Sequence, residues 1–165
     1  MSIQQLVASL KLQPHPEGGF YREVYRSAEE IPASALTSQF SGSRSFSTSI
    51  YFLLTANNFS AFHRIASDEI WHFYSGDPLH VHVLHPQGQY QLIQLGNGEN
   101  AIANFQAVVP AGSWFASESK GTLGYSLVGC TVAPGFDFAD FELANAKILV
   151  QQYPAYANLI QRLCR

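Results

Sequence analysis

His63 and Glu69 flank a turn signal at Ser67-Asp68, within a stretch of β-branched and aromatic residues. Strands on the two sides of such a turn face one another, so the two side chains are expected to meet. An imidazole buried beside a carboxylate is held in one tautomer and made more basic, which a general base needs near neutral pH. The bland alternative is a hydrogen-bonded pair that only satisfies two polar groups left in a core. Such groups are costly in an apolar interior unless they are used, and that cost favours the catalytic reading. A second dense cluster is His15-Pro16-Glu17-Gly18-Gly19. Its glycines permit positive φ or a close approach to another chain or ligand, whereas a plain turn leaves Glu17 unexplained. His80 and His82 form an HxH pair, but Leu79, Val81 and Val83 supply the apolar face of that strand. The two histidines are therefore read as facing solvent or a partner sheet. His72 follows Glu69 by three residues, which on a strand sends it to the opposite face unless a bulge intervenes.

The elements that must position these groups are mostly strands. From 45 to 132, short apolar runs alternate with turn residues such as Asn57-Asn58, Gly76-Asp77-Pro78, Pro86-Gln87-Gly88 and Ala111-Gly112. That rhythm predicts an antiparallel sandwich or barrel. Residues 3–11 have helical spacing before Pro14, FYREVYRS alternates as a strand, and 28–43 reads as a surface loop. Leu143, Ile148, Leu149, Leu159, Ile160 and Leu163 suit two short terminal helices, with Pro154 opening the second.

At 165 residues the chain is read as one domain, 1–165, with enough length to bury a full core. Charged residues make up 13%, about half the roughly 25% of an average soluble protein, so much of the surface is uncharged or covered by a partner. A net charge of −3 with scattered basic residues argues against nucleic acid. No run has the length of a membrane span, and MSIQQLVASLK has no leader features, so the expected compartment is the cytoplasm. Cys130 lies in an apolar run and Cys164 near the end, which argues against a disulfide framework.

Two longer spacings carry a resemblance. The first is Asn57-x5-His63-x-Ile65-x3-Glu69-x6-Gly76, and the second is Asn104-x5-Pro110-x-Gly112-x2-Phe115-x3-Ser119. Both resemble the paired motifs of the cupin superfamily. Together with HPEGGFYRE, SDEIWHFY, VPAGSW and APGFDFADFEL, they look like a small cupin subfamily similar to deoxysugar-nucleotide epimerases of the RmlC kind. The resemblance implies a mainly β, antiparallel jelly-roll barrel with short N- and C-terminal helices and an internal cavity. It points His63, Ile65, Glu69, Trp71 and Phe73 inward. It also sets Glu17, Phe20 and Tyr21 near the barrel mouth.

The family's metal ligands are three histidines and a glutamate, and here Ile65 and Phe115 take two of the histidine positions. A metal would have only His63 and Glu69, fewer than the three or four ligands usual for a catalytic ion, so no cofactor is expected. Catalytic roles are assigned to His63 as base, Glu69 as its orienter, and Tyr21 or Tyr51 as the group that returns a proton. Ligand contacts are assigned to Glu17, Phe20, Arg64, Trp71, Phe73, Trp114 and Phe115. Arg44 or Arg64 would serve an anionic substrate. The aromatic content, 13%, suits a flat or ring-shaped small molecule. The leading expectation is a homodimeric isomerase or epimerase acting on a sugar- or nucleotide-like carbonyl compound. The alternatives are a binding module without turnover and a metal enzyme with a reduced ligand set. The dimer is inferred from low surface charge and from the His80/His82/Leu84 strand face.

Overall fold

The computed structural model describes residues 2–98 and 104–165. Helix α1 (Ile3–Ser9) begins with a capping box in which Ser2 and Gln5 satisfy each other's backbone N–H groups. The strands follow as β1 (Gln13–Pro14), β2 (Phe20–Arg26), β3 (Glu30–Ile31), β4 (Arg44–Ser45), β5 (Thr48–Thr55), β6 (Phe59–Arg64) and β7 (Asp68–Gly76). After them come β8 (Leu79–Leu84), β9 (Tyr90–Leu95), β10 (Gln106–Val109), β11 (Trp114–Ser119), β12 (Tyr125–Ala133) and β13 (Glu142–Leu143). Helices α2 (Ala146–Gln152) and α3 (Ala157–Arg162) close the chain, separated by a short turn that begins at Pro154.

One sheet has the order β1-β2-β5-β12-β7-β10, the other β13-β6-β11-β8-β9, and β3 pairs with β4 apart from both. From β5 to β13 the chain changes sheet at every connection except the β8–β9 hairpin, which is the jelly-roll topology expected. One consequence was not expected. β6 and β7 lie in different sheets, so His63 and Glu69 are not cross-strand partners in a hairpin.

Side-chain alternation builds the interior. Phe52, Leu54, Trp71, Phe73, Val128 and Cys130 from the six-stranded sheet meet Leu79, Val81, Val83, Ile93 and Phe115 from the other. The outer faces are partly covered by helices. Leu6 of α1 packs on Leu53 and Leu127, while Leu149, Ile160 and Leu163 pack on Phe62, Leu84, Trp114 and Ala116. Among the described residues no helix is long and apolar enough to cross a membrane.

The terminal helices overturn the exposed reading of the β8 outer face. Leu84 is fully buried, and His82 is buried with Nε2–H donating to Glu118 at 2.9 Å and Nδ1 accepting from the Tyr90 hydroxyl at 2.8 Å. That face is occupied by the chain's own C-terminus and cannot be the dimer surface inferred from sequence. Glu118 also accepts from Arg162 at 2.6 and 2.9 Å and pairs with Lys120 at 2.9 Å, which fastens α3 to the sheet. Burial opposes its charge, but the bonds from Arg162, Lys120 and His82 outweigh that and hold the carboxyl at about 2.

A carboxyl depressed in the fold stabilises it above the unfolded value near 4.5 and loses that contribution as pH falls towards about 2. Glu118→Gln should therefore lower stability at pH 7 by roughly 1–3 kcal/mol. The difference from the parent should shrink between pH 4.5 and 2 in chemical-denaturation curves.

Candidate active site

A cavity of about 400 Å³ opens between the two sheets at the end where β2, β5, β7 and β12 meet the loop after β12. Its polar centre is formed by a local rearrangement at each of two strands. Gly18 and Gly19 adopt φ of +113° and +77°, and a Cβ on Gly18 would lie 2.1 Å from the Phe59 carbonyl, so only glycine allows the turn to press onto β6. The Ala61 N–H donates to the Glu17 carbonyl at 2.8 Å and locks the turn there. β6 is itself irregular: opposite β11, Phe115 pairs with His63 but Ser117 pairs with Ser60. Strict alternation would send Ser60 and His63 to opposite faces, whereas this bulge lets both reach Glu17.

The resulting contacts fix the tautomer of His63. Its Nδ1 lies 2.7 Å from the Ala61 carbonyl, which can only accept, so Nδ1 carries the hydrogen. The bare Nε2 faces Glu17 Oε2 at 3.0 Å, and Ser60 Oγ donates to Glu17 Oε1 at 2.7 Å. Two acceptors at 3.0 Å need a proton between them. Burial, and then the nearby Glu69 carboxylate, raise the Glu17 carboxyl well above its ordinary range, with the Ser60 bond opposing. Burial lowers His63 to about 3, against the Ala61 bond. The proton therefore rests on Glu17, which donates to His63. His15 is a second neutral imidazole, lowered to about 4 by burial; its Nδ1 accepts from the Glu17 backbone N–H at 3.3 Å. Its ring stacks on Phe138 and meets Tyr21 and Phe141 edge-on.

The expected residues divide cleanly. His63, Glu69, Tyr21, Glu17 and Trp71 line the cavity, as does Ile65. The partner of His63 is Glu17, not Glu69, because the Glu17 turn docks on β6 while Glu69 stands on the opposing sheet. Tyr51 lies on the outer face, with Tyr74 edge-on at 5.9 Å and Arg22 over its ring, while Phe20 packs with α1. Trp114 packs among the terminal helices, and exposed Arg64 covers it at 4.6 Å while bonding Glu142. Phe73 belongs to the core, and Phe115 buttresses the His63 ring at 4.1 Å instead of lining the cavity. Arg44 is buried against Asp140, so Arg26 is the arginine at this cavity. His72 bonds Thr131 and Gln106 on the outer face, as alternation required. Sequence reading missed Ser60 and the cavity position of His15. The crowded HPEGG phrase was a signal for His15; nothing in the sequence signalled the bulge that brings in Ser60.

The fold and the site together define a cupin. A family model described as Cupin superfamily (DUF985) matches residues 4–144, and the chain belongs to that family. It is 33% identical over 153 residues to the uncharacterized protein YML079W of Saccharomyces cerevisiae, a match covering 84% of this chain and 73% of that one. A hypothetical protein from Leishmania major has a solved structure with TM-score 0.90 and 35% identity, covering 99% of both chains. A Shewanella oneidensis protein gives 0.89 and 38%, covering 100% of this chain and 98% of its own. Oxalate decarboxylase from Bacillus subtilis, at 12% identity and TM-score 0.54 over 36% of its length, shares the fold alone.

The residues present do not fit a cupin metal ion. Ile65 and Phe115 offer no donor atom, and both nitrogens of His63 are committed, to Ala61 and to Glu17. Among the described residues no group of three or more His, Cys, Asp or Glu side chains is placed to hold a metal.

Glu69 provides a physical check on how dry the cavity is. Burial raises it to about 7, opposed by the Cys130 thiol and the Trp71 indole. An acid raised in the fold stays protonated there after its unfolded counterpart has ionised, so stability falls as pH climbs from about 4.5 to 7. Glu69→Gln should remove that decline and leave the protein more stable than the parent at pH 8, by on the order of 2 kcal/mol. The gap should close below pH 4.5 in melts followed across pH.

Proposed function

We propose that this cupin binds a small carbonyl compound in the cavity and isomerises it by proton transfer, with His63 and Glu17 as the acid–base unit. The observation that supports the reading is the 3.0 Å contact between His63 Nε2 and Glu17 Oε2 at the wall of an aromatic cavity. The resting pair holds one proton and has room for a second. When a C–H next to the substrate carbonyl is broken, its proton goes to the pair and its electrons move onto the carbonyl oxygen. Tyr21, which lines the cavity, donates to that oxygen, giving an enol. Return of a proton to the neighbouring carbon or the opposite face, with the phenol proton recovered, gives the isomer. No oxidant or reductant enters. Glu69, on the facing sheet, raises the proton affinity of Glu17 through its charge.

A second reading, a binding module without turnover, is favoured by one observation: burial that takes His63 to about 3 weakens it as a base acting alone. Deuterium incorporation next to the carbonyl, followed by NMR across a panel of aldoses and hydroxy-ketones in D₂O, separates the two. Glu17→Gln keeps the shape and a donor to His63 but cannot pass a proton, and should slow exchange by at least about 100-fold. His63→Ala should abolish it. Ligand-induced shifts in the parent protein with no exchange would establish the binding module, and full exchange in both variants would sink the acid–base assignment.

The homodimer is proposed on a different surface from the one inferred from sequence. The outer face of the six-stranded sheet leaves Ile70, Tyr74 and Val108 exposed, side chains that a partner would cover. Sedimentation should give a dimer at micromolar concentration, and Tyr74→Lys with Val108→Lys should give a monomer that still melts cooperatively.

A further inference from the structure

Opposite the His63–Glu17 wall, β7 gives the cavity a second polar edge. Glu69 and Trp71 are separated by one residue on that strand, so both project from the same face. Cys130 of β12 is the cross-strand partner of Trp71. The Trp71 ring is held edge-on by Phe52 at 6.0 Å and by Phe115 at 6.3 Å, which fixes the direction of its N–H. The residue is 1% exposed, and its Nε1 makes no hydrogen bond to the protein. A buried indole donor normally has a partner, and leaving one unmet destabilises the fold. Glu69 is near enough for the indole to favour its charged form, but Nε1 does not make a hydrogen bond to it. A donor without an acceptor beside a carboxyl group matches a hydroxyl, which accepts from the one and donates to the other.

Charge narrows the ligand further. Arg26 is the one guanidinium or ammonium among the described lining residues; its Nε and Nη2 are engaged by Glu23, and Nη2 also by the Phe136 carbonyl. Arg26 and Glu23 are each about 40% exposed, which sets that pair at the mouth. Further in stand two carboxyl groups, Glu17 and Glu69, with no cation. A phosphate or carboxylate placed there would lose its water beside like charge and gain no counter-ion. Tyr21, Phe136, Phe138 and Phe141 make part of the remaining wall aromatic, which suits the apolar faces of a ring.

From this geometry we infer that Glu69 and the Trp71 indole N–H form a hydroxyl-recognition subsite, and that the ligand is an uncharged, hydroxyl-bearing ring of the sugar class. The inference rests on the small-molecule reading of the cavity given above and narrows it.

The chain has two tryptophans, so the indole region of a ¹H–¹⁵N spectrum contains Trp71 and, as an internal control outside the cavity, Trp114. The probes are neutral hexoses and pentoses, their deoxy counterparts and their phosphates, each titrated to about 50 mM so that millimolar affinities register. At least one neutral sugar should move the Trp71 indole and the His63 imidazole together and leave Trp114 still, while the phosphates move neither. Trp71→Phe and Glu69→Gln should each weaken that sugar about tenfold and leave its deoxy counterpart unchanged, in variants that retain a cooperative melt. Movement of His63 without Trp71 would overturn the subsite, leaving the indole partnered by water alone, while the small-molecule reading stands. Equal response to the phosphates would overturn the uncharged ligand class. No movement of either residue across the panel would overturn the inference together with the reading beneath it.

Discussion

The site depends on placing a carboxyl group in a dry interior with no cation beside it. Glu17 is 6% exposed, and its carboxyl meets the Ser60 hydroxyl and the imidazole nitrogens of His63 and His15. An ionised carboxylate in such a setting would be very costly, and the arrangement avoids that cost by keeping the proton on the acid. Several local features serve this placement. The two positive-φ glycines let the turn lie against Phe59, the bulge in β6 turns Ser60 and His63 to one side, and Phe115 supports the imidazole at 4.1 Å. Substituting any of these would disturb the same hydrogen bond.

A second carboxyl group in the same cavity sets the electrostatic character of the whole. Burial pushes both Glu17 and Glu69 upward, and the Glu69 charge further raises the cost of ionising Glu17. His15 and His63 are pushed the opposite way by the same burial. The groups that could be charged near neutrality are thus driven towards neutrality. The jelly roll places Glu69 on the six-stranded sheet and docks the Glu17 turn against β6 of the other. Family membership carries the fold across from other cupins. It does not carry the metal, since apolar side chains stand at two of the ligand positions.

The stability of the shell comes from outside the cavity. Each sheet has an apolar outer patch that would be exposed in a bare barrel, and the terminal helices cover both in part. The Tyr90–His82–Glu118–Arg162 chain of hydrogen bonds fixes the last of these helices. Low surface charge is thereby explained partly within one chain, while Ile70, Tyr74 and Val108 on the outer face of the six-stranded sheet stay exposed.

Much of the architecture was legible in the sequence because it follows from local rules. Alternation on LHVHVL showed which residues face inward, turn residues marked the breaks between strands, and the helical period reappeared at both ends. The motif spacings located His63, Glu69 and Ile65 at the cavity, and strand alternation correctly sent His72 outward. What failed were inferences that needed to know which segments meet. Glu17 and His63 are 46 positions apart, and their contact exists only because a glycine turn docks on a bulged strand of the other sheet. Alternation indicates that a side chain leaves one face; it cannot say whether that face is covered, and His82 and Leu84 lie beneath the chain's own C-terminal segment. Tyr51 and Trp114 were misplaced for the same reason, since an aromatic residue in a strand has equal cause to pack inside a barrel or under a helix. The sequence by itself determined the strands, their faces and the chemical groups available. Tertiary structure decided which of those groups share a proton, because hydrogen bonding depends on distances of about 3 Å that no local periodicity encodes.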